Sequence, residues 1–407
     1  MDLTVNEALA LDERMARAAW SGIAEPADHR VGQLVEKLGP NRALAWATTP
    51  YADPQIGEPG SWDVVHERVH LRISQLMLTD ELSRIEKLGG RIITPSDPQW
   101  PSRLEHLGVG RPHALWVLGK LPTETQIAVA MVGARASTAY GNAIATDFAF
   151  DLATAGCAVI SGGAYGIDAA AHRGAIRGRQ QPDNLSDQLC PTVAVLCGGL
   201  DNLYPAGNHS MFKQMLDCGG GLVSEMPPSF RPARWRFIER NRIIAALADA
   251  TVVVEASSRS GALATANRAA ELGKEVGAVP GPITSGASTG TNRLIADGAN
   301  LLASVSDVMT MTGSGFGVSE NQEGYQQSLF TERSRSGGKL PIALARADPI
   351  ERRTWDALPR DGEAKPELVA SEAGLSVYEA NGGLLGLQGL GLVTRSAAGG
   401  WARSHPA

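Results

Sequence analysis

The sequence predicts an α/β protein: a doubly wound, mostly parallel sheet, with a helical domain before it and a small helix-turn-helix domain after it. Three observations carry this reading. Between residues 127 and 310, apolar runs of strand length (IAVAMVG, CAVISGG, TVAVLCGG, GLVSE, ATVVVEA and EVGAVPG) alternate with helix candidates such as GNAIATDFAFDLATAG, GIDAAAHRGAIRG and ALATANRAAELG. The runs are apolar throughout, as strands are when helices cover both faces of a parallel sheet. Most end in glycine, at the carboxyl edge where an open, Rossmann-like sheet has its binding crevice.

The flanking elements follow in order. Residues 1–80 show helical spacing in LVEKLGPNRALAWA and VVHERVHLRISQLML, interrupted by the loop YADPQIGEPG, and read as an N-terminal helical, SAM-like domain. Residues 81–126 run from the helix ELSRIEKLGG through RIITPSDPQWPSRLEHL to the strand-like HALWVLGKL, a connecting segment packed on the core of residues 127–310. Residues 311–345 are rich in Gly, Ser and Gln without periodicity, a flexible linker. Residues 346–407 give helix, helix, turn, helix and two short strands around Ala398, Gly399 and Gly400, the order of a winged helix. Glu367, Glu372 and Glu379 lie on its groove-facing helices, so protein contact or regulation is expected ahead of duplex binding.

Composition narrows the function. With 407 residues and a formal charge of −6, any nucleic-acid surface is a local basic patch on an acidic body. Cys157, Cys190, Cys197 and Cys218 stand singly in or beside apolar runs, without CxxC spacing, and read as buried thiols. An acidic amino terminus gives no signal peptide, and no apolar run reaches the ~18 residues that span a bilayer. The expected location is the cytoplasm, without membrane contact. There is no GxxxxGK[ST] motif and no GxGxxG after the first strand, which argues against ATP hydrolysis and dinucleotide redox chemistry.

Five glycine turns and one basic run carry the candidate site. In MVGARASTAYG, Gly133 and Arg135 precede a helix start with Ser137 and Thr138; this suits an anion, or a simple helix cap. In SGGAYGIDAAAHRGA, Ser161, Gly162, Gly163 and Gly166 let a ligand approach, and Asp168 with His172 reads as helix capping rather than acid–base chemistry. In VLCGGLDNLYPAGN, Gly198 and Gly199 lead to Tyr204, Pro205 and Asn208; Tyr204 either stacks on a base or fills a turn. The last pair offers N–H and hydroxyl donors for phosphate, with Ser260, Gly261 and Thr265 in one turn and Gly281, Ser288, Gly290 and Asn292 in the other. The run Phe230–Ile244 (FRPARWRFIERNRII) sets Arg231, Arg234, Arg236, Arg240 and Arg242 against the single acid Glu239. Phe230, Trp235 and Phe237 interleave with them, the pairing a sequence-tolerant single-strand groove uses. It also reads as a solvated arginine face beside core aromatics. Lying between the fourth and fifth predicted strands, with RNRII opening a helix, it should point partly into the crevice, with Phe237, Ile243 and Ile244 in the core, Trp235 as a stacking platform, and Arg240 and Arg242 as the leading phosphate contacts.

Taken together and in this order, these turns resemble the DprA/Smf family of bacterial DNA-processing proteins. The resemblance rests on Gly133, Arg135, Tyr140 and Gly141; Ser161, Gly162, Gly166, Ile167, Asp168 and His172; Gly199, Asp201, Tyr204, Pro205 and Asn208; Ser224, Glu225 and Pro227; Arg240, Asn241, Arg242, Ile243 and Ile244; Glu255, Ser260, Gly261 and Thr265; and Pro280, Gly281, Gly290 and Asn292. Trp100–Leu104 looks like the family's lead-in. The resemblance implies a homodimeric, non-enzymatic protein without cofactor or metal that binds incoming single-stranded DNA during natural transformation, shields it and loads the RecA recombinase. It places DNA on Arg135, the Gly198–Asn208 loop and the segment Arg234–Arg242. Two departures stand out: Ile238 and Glu239 replace the usual Pro-x after Phe237, and Ala206 replaces a frequent lysine, a lost phosphate contact for which Arg234 and Arg236 would compensate. A competing reading is a nucleotide-binding enzyme that cleaves an N-glycosidic bond, with Glu225, Glu255 or Asp168 as acid or base. The basic aromatic run distinguishes the two, since a small-nucleotide pocket does not need it.

Overall fold

The computed structural model describes residues 4–51, 53–54, 56, 62–181, 189–313, 348–359, 362–373, 375–396 and 399–404. The chain forms two compact units, one within residues 1–317 and one within 318–407. In the first, the strands are β1 (Arg91–Ile93), β2 (Leu115–Gly119), β3 (Ala128–Val132), β4 (Ala158–Ser161), β5 (Thr192–Leu196), β6 (Gly221–Ser224), β7 (Ala250–Val253), β8 (Glu275–Ala278) and β9 (Asn300–Leu301). They form one mixed sheet in the order β1-β2-β6-β5-β4-β3-β7-β8-β9. From β6 to β9 all neighbours are parallel. The six apolar runs between residues 127 and 281 are β3 to β8.

Five helices, α1 (Val5–Ala10), α2 (Glu13–Ile23), α3 (His29–Leu38), α4 (Pro40–Thr48) and α5 (Asp63–Ile73), surround a core with Trp20, Leu34, Leu44 and Trp62 fully buried. Thr4 and Glu7 form a capping box, and Asp12 and Asp28 cap α2 and α3. This bundle belongs to the same compact unit as the sheet: Trp116 in β2 donates its Nε1–H to Ser21 Oγ at 3.0 Å.

Period-two packing explains why the central strands are apolar on both faces. In β3, Ala128, Ala130 and Val132 join a cluster with Ile243, Ile244, Ala262 and Ala266, while Val129 and Met131 join a second with Phe148, Leu152, Ala171 and Val308. Helices α7 (Ala139–Thr154), α8 (Ile167–Arg179) and α13 (Val305–Met311) therefore cover one face. The other is covered by α10 (Arg234–Leu247) and α11 (Gly261–Glu271), with Leu294 and Ile295 of α12 (Thr289–Ala296) packed against the same cluster. Towards the β1 edge, α6 (Leu78–Lys87) and α9 (His209–Asp217) bring Ile85, Phe212 and Met215 against Trp116 and Leu222. Residues 81–126, expected as a connecting segment, instead supply β1 and β2 to the sheet. The β2 strand pairs antiparallel with β6, Trp116 opposite Ser224, and β1 pairs antiparallel with β2. The three-residue RII of β1 is too short to show a period.

The second unit contains α14 (Pro349–Ala357), α15 (Pro366–Ala373) and α16 (Val377–Gly389), followed by an antiparallel pair, β10 (Val393–Arg395) and β11 (Trp401–Arg403). Trp355, Leu358, Val369, Leu384, Leu387 and Trp401 form its core. Ala398 and the linker from residue 314 onward lie outside the described residues. No helix among those described is long and apolar enough to cross a membrane.

Candidate nucleic-acid interface

The strand order reverses at β3, which has β4 on one side and β7 on the other. Loops leaving adjacent strands in opposite directions part there and open a crevice. It holds a cleft of ≈220 Å³, lined among others by Gly133, Arg135, Asp168, Phe237, Arg240, Asn241, Ser260, Gly261 and Thr265. Ser260 caps α11, and a Cβ added at Gly261 would meet nothing, so the helix amino end opens into free space.

The glycine turns hold one another closely. Gly166 has φ +77°, and a Cβ there would lie 2.2 Å from the Ala134 carbonyl oxygen, locking the second turn against the first. At Gly162 it would meet the Arg240 guanidinium at 2.3 Å. Asn208 donates from Nδ2 to the carbonyls of Gly163 and Ala164, at 2.9 and 3.2 Å, tying the third turn to the second. Gly199 donates to the Phe230 carbonyl at 2.6 Å, and Gly198 packs on Pro232. Gly281 and Asn292 exchange hydrogen bonds of 3.2 and 2.9 Å, and Gly290 donates to the Ala256 carbonyl. Gly198, Gly199, Asn208, Gly281, Gly290 and Asn292, expected as DNA contacts, thus shape the turns rather than line the cleft. Ser161 is fully buried and donates to the Met131 carbonyl.

The acids of the crevice are engaged. Glu255 is buried and accepts from the backbone N–H and hydroxyl of Thr138, so a protein carboxylate already occupies the amino end of α7 where an anion was considered. Asp168 accepts from the N–H groups of Gly162 and Ala164. Burial raises its carboxyl above the ordinary range, against the pull of Arg240 and these hydrogen bonds. One turn along α8, His172 meets the Thr192 hydroxyl at 2.7 Å through Nδ1; burial, with Arg240 and Arg173, lowers it to about 3 and keeps it neutral.

The arginine run divides in two. Arg240 and Arg242, expected to lead the phosphate contacts, are only 5% and 4% exposed. Arg240 shares the helical spacing of Ile243, Ile244 and Leu247, the face turned to the sheet, and donates to the carbonyls of Gly162 and Val195. Arg240 also lines the cleft. Arg242 makes a bidentate pair with buried Glu225, at 3.1 and 2.6 Å, and donates to the Gly110 carbonyl. Arg236 is committed as well, gripping Glu25 of the helical bundle from Nε and Nη2, both at 3.1 Å. Arg234 is exposed, and Asn241 reaches the Gly261 carbonyl at 3.4 Å.

What faces solvent at the crevice is aromatic and cationic. Arg135 is exposed, without a carboxylate partner among the described residues, and its guanidinium carbon sits 4.9 Å from the centre of the Phe237 ring. Tyr204 meets the same ring edge-on, centroids 5.8 Å apart and planes at 72°. Trp235 is 56% exposed, with its Nε1–H held by Glu25 at 3.1 Å. Phe237, expected in the core, instead lines the cleft. Two further residues not anticipated as site surface are Tyr165 and Ile238, exposed by 51% and 56%. An aromatic inside a glycine turn and an apolar residue within a charged run were the available signals.

Known proteins match the chain in both sequence and fold. Residues 91–313 match the family model described as DNA recombination-mediator protein A. The chain is 39% identical over 389 residues to the DprA protein of Mycobacterium tuberculosis, covering 92% of this chain and 91% of that one. It is 30% identical over 409 residues to the protein Smf of Synechocystis, covering 95% and 98%. The crystal structure of DNA processing protein A from Streptococcus pneumoniae superposes with a TM-score of 0.57 at 28% identity, covering 76% of this chain and 98% of that one. A protein whose sequence and fold both match in this way belongs to the DNA recombination-mediator protein A family, that of DprA and Smf.

Proposed function

We propose that the crevice binds single-stranded DNA and that the protein acts without catalysis as a recombination mediator, protecting incoming strands during transformation and loading RecA onto them. The observation that carries this reading is the exposed Arg135 seated on Phe237, with Tyr204 against the same ring: an exposed cation beside stackable faces at a topological switch point. Family membership supports it. The carboxylates that glycosidic cleavage would need are each hydrogen-bonded or ion-paired within the protein: Glu225 to Arg242, Glu255 to Thr138 and Asp168 to the second turn. A cytoplasmic homodimer fits this role, and the helix order and strand pair of the second unit support its reading as a winged helix.

Anisotropy titrations with single-stranded and duplex oligonucleotides across a salt series test the proposal. Single strands should bind more tightly, with log K falling by roughly 0.7 per log unit of salt for each phosphate neutralised. Preference for duplex, or affinity indifferent to salt, contradicts it. RecA assembly on a strand should quicken when the protein is added, and sedimentation should give a dimer.

A further inference from the structure

The helical bundle reaches the basic run through one side chain, Glu25, in the turn between α2 and α3. Its carboxylate accepts from Arg72 Nη2 of the bundle at 2.7 Å, and from Arg236 Nε, Arg236 Nη2 and the Trp235 indole N–H, all at 3.1 Å. Two guanidinium groups and an indole donor converging on two oxygens suit a phosphodiester as well as a carboxylate, since both are monoanions with a pair of acceptor oxygens. The turn that presents Glu25 is itself held: the Asp28 N–H donates to the Glu25 carbonyl at 3.2 Å, and Ala27 has φ +59°, which L side chains rarely adopt. Beside the carboxylate, Arg231, Arg234 and Trp235 are exposed, and neither of these arginines has an ion pair among the described residues.

Resting on the strand-binding reading above, we propose that Arg72, Arg236 and Trp235 form a phosphodiester subsite closed at rest by Glu25, so that the helical bundle limits how far a strand runs along α10. Glu25 is a competitor attached to the protein, and a phosphate must displace it to enter. The exposed Arg231 and Arg234 draw the strand's backbone to the subsite, and the exposed ring of Trp235 offers a face to a neighbouring base. On displacement the Arg236 and Arg72 donors pass to the phosphate, while the Glu25 carboxylate is released to water, where it is well solvated.

Glu25→Gln keeps the shape of the side chain and removes the competing charge. Anisotropy titrations of the full chain with oligo-dT should then show affinity raised about fivefold at ~0.1 M salt, and a salt slope steeper by roughly 0.7, one more phosphate neutralised. The gain should vanish on a methylphosphonate strand, whose backbone is uncharged, and should be cancelled when Glu25→Gln is combined with Arg236→Gln. In the unmodified protein, amide exchange at residues 25–28 should quicken when oligo-dT binds, a readout that depends on no variant folding. Unchanged or weaker binding by Glu25→Gln, a gain that persists on the uncharged strand or without Arg236, or exchange that does not quicken overturns the subsite. Failure of the strand-binding reading shows separately, as unmodified protein whose affinity for oligo-dT is indifferent to salt.

Discussion

Arg135 and Arg242 are the same residue type in opposite roles, and burial separates them. Arg242→Ala leaves Glu225 as an unpaired buried charge and should destabilise the fold by about 3–5 kcal/mol, measured by denaturant unfolding; a loss below about 1 kcal/mol would show the pair to be dispensable. Arg135→Ala removes an exposed cation and its contact with the Phe237 ring. It should weaken single-strand binding about tenfold, flatten the salt slope by roughly 0.7, and leave the melting temperature within a degree or so. Part of this division was legible: Arg240 repeats the spacing of Ile243, Ile244 and Leu247, an apolar helical stripe with one cation in it. The rest was not, because the partners lie far off in sequence. Glu25, 211 residues before Arg236, has nothing nearby to announce its role.

The turns and α10 are packed and hydrogen-bonded closely together, and the glycines of the turns are where this is tested. Gly166→Ala places a Cβ against the Ala134 carbonyl at φ +77° and should cost about 1–3 kcal/mol in stability, while loosening the mouth of the cleft enough to weaken strand binding. Stability equal to the native protein would mean that the turns are not locked. The strands themselves were plain in the sequence, since β3 to β8 are short apolar runs bounded by turns. By contrast, although HALWVLGKL was legible as a strand, β1 and the antiparallel pairing of this edge were hidden, because a three-residue strand carries no periodicity and pairing across the sheet is a tertiary event. The glycines lie at the crevice, as their place after the strands implies. Most of them let turns approach one another rather than a ligand, a distinction that depends on which turns meet in space.

At the scale of the whole molecule, acid should act at two points. His113 and His172 are held at about 3 by burial, and nearby arginines also lower both, so below about 6.5 the unfolded chain binds protons that the folded one does not. Stability should therefore fall as pH drops from about 6.5 towards 3. Glu25 adds a lower window. Partial burial raises its carboxyl, but Arg236, Trp235 and Arg72 outweigh this and bring it to about 2, so its contribution is full above about 4.5 and is lost as pH falls through 2. Melting temperatures across pH 2–8 check both windows, and a flat profile would contradict them. Where the strand lies on the molecule is decided by photocrosslinking a 5-iododeoxyuridine strand and mapping the modified peptides. Adducts should form on Tyr165, Tyr204, Phe237 or Trp235; adducts confined to residues 1–80 or 346–407 would contradict a strand seated in the crevice.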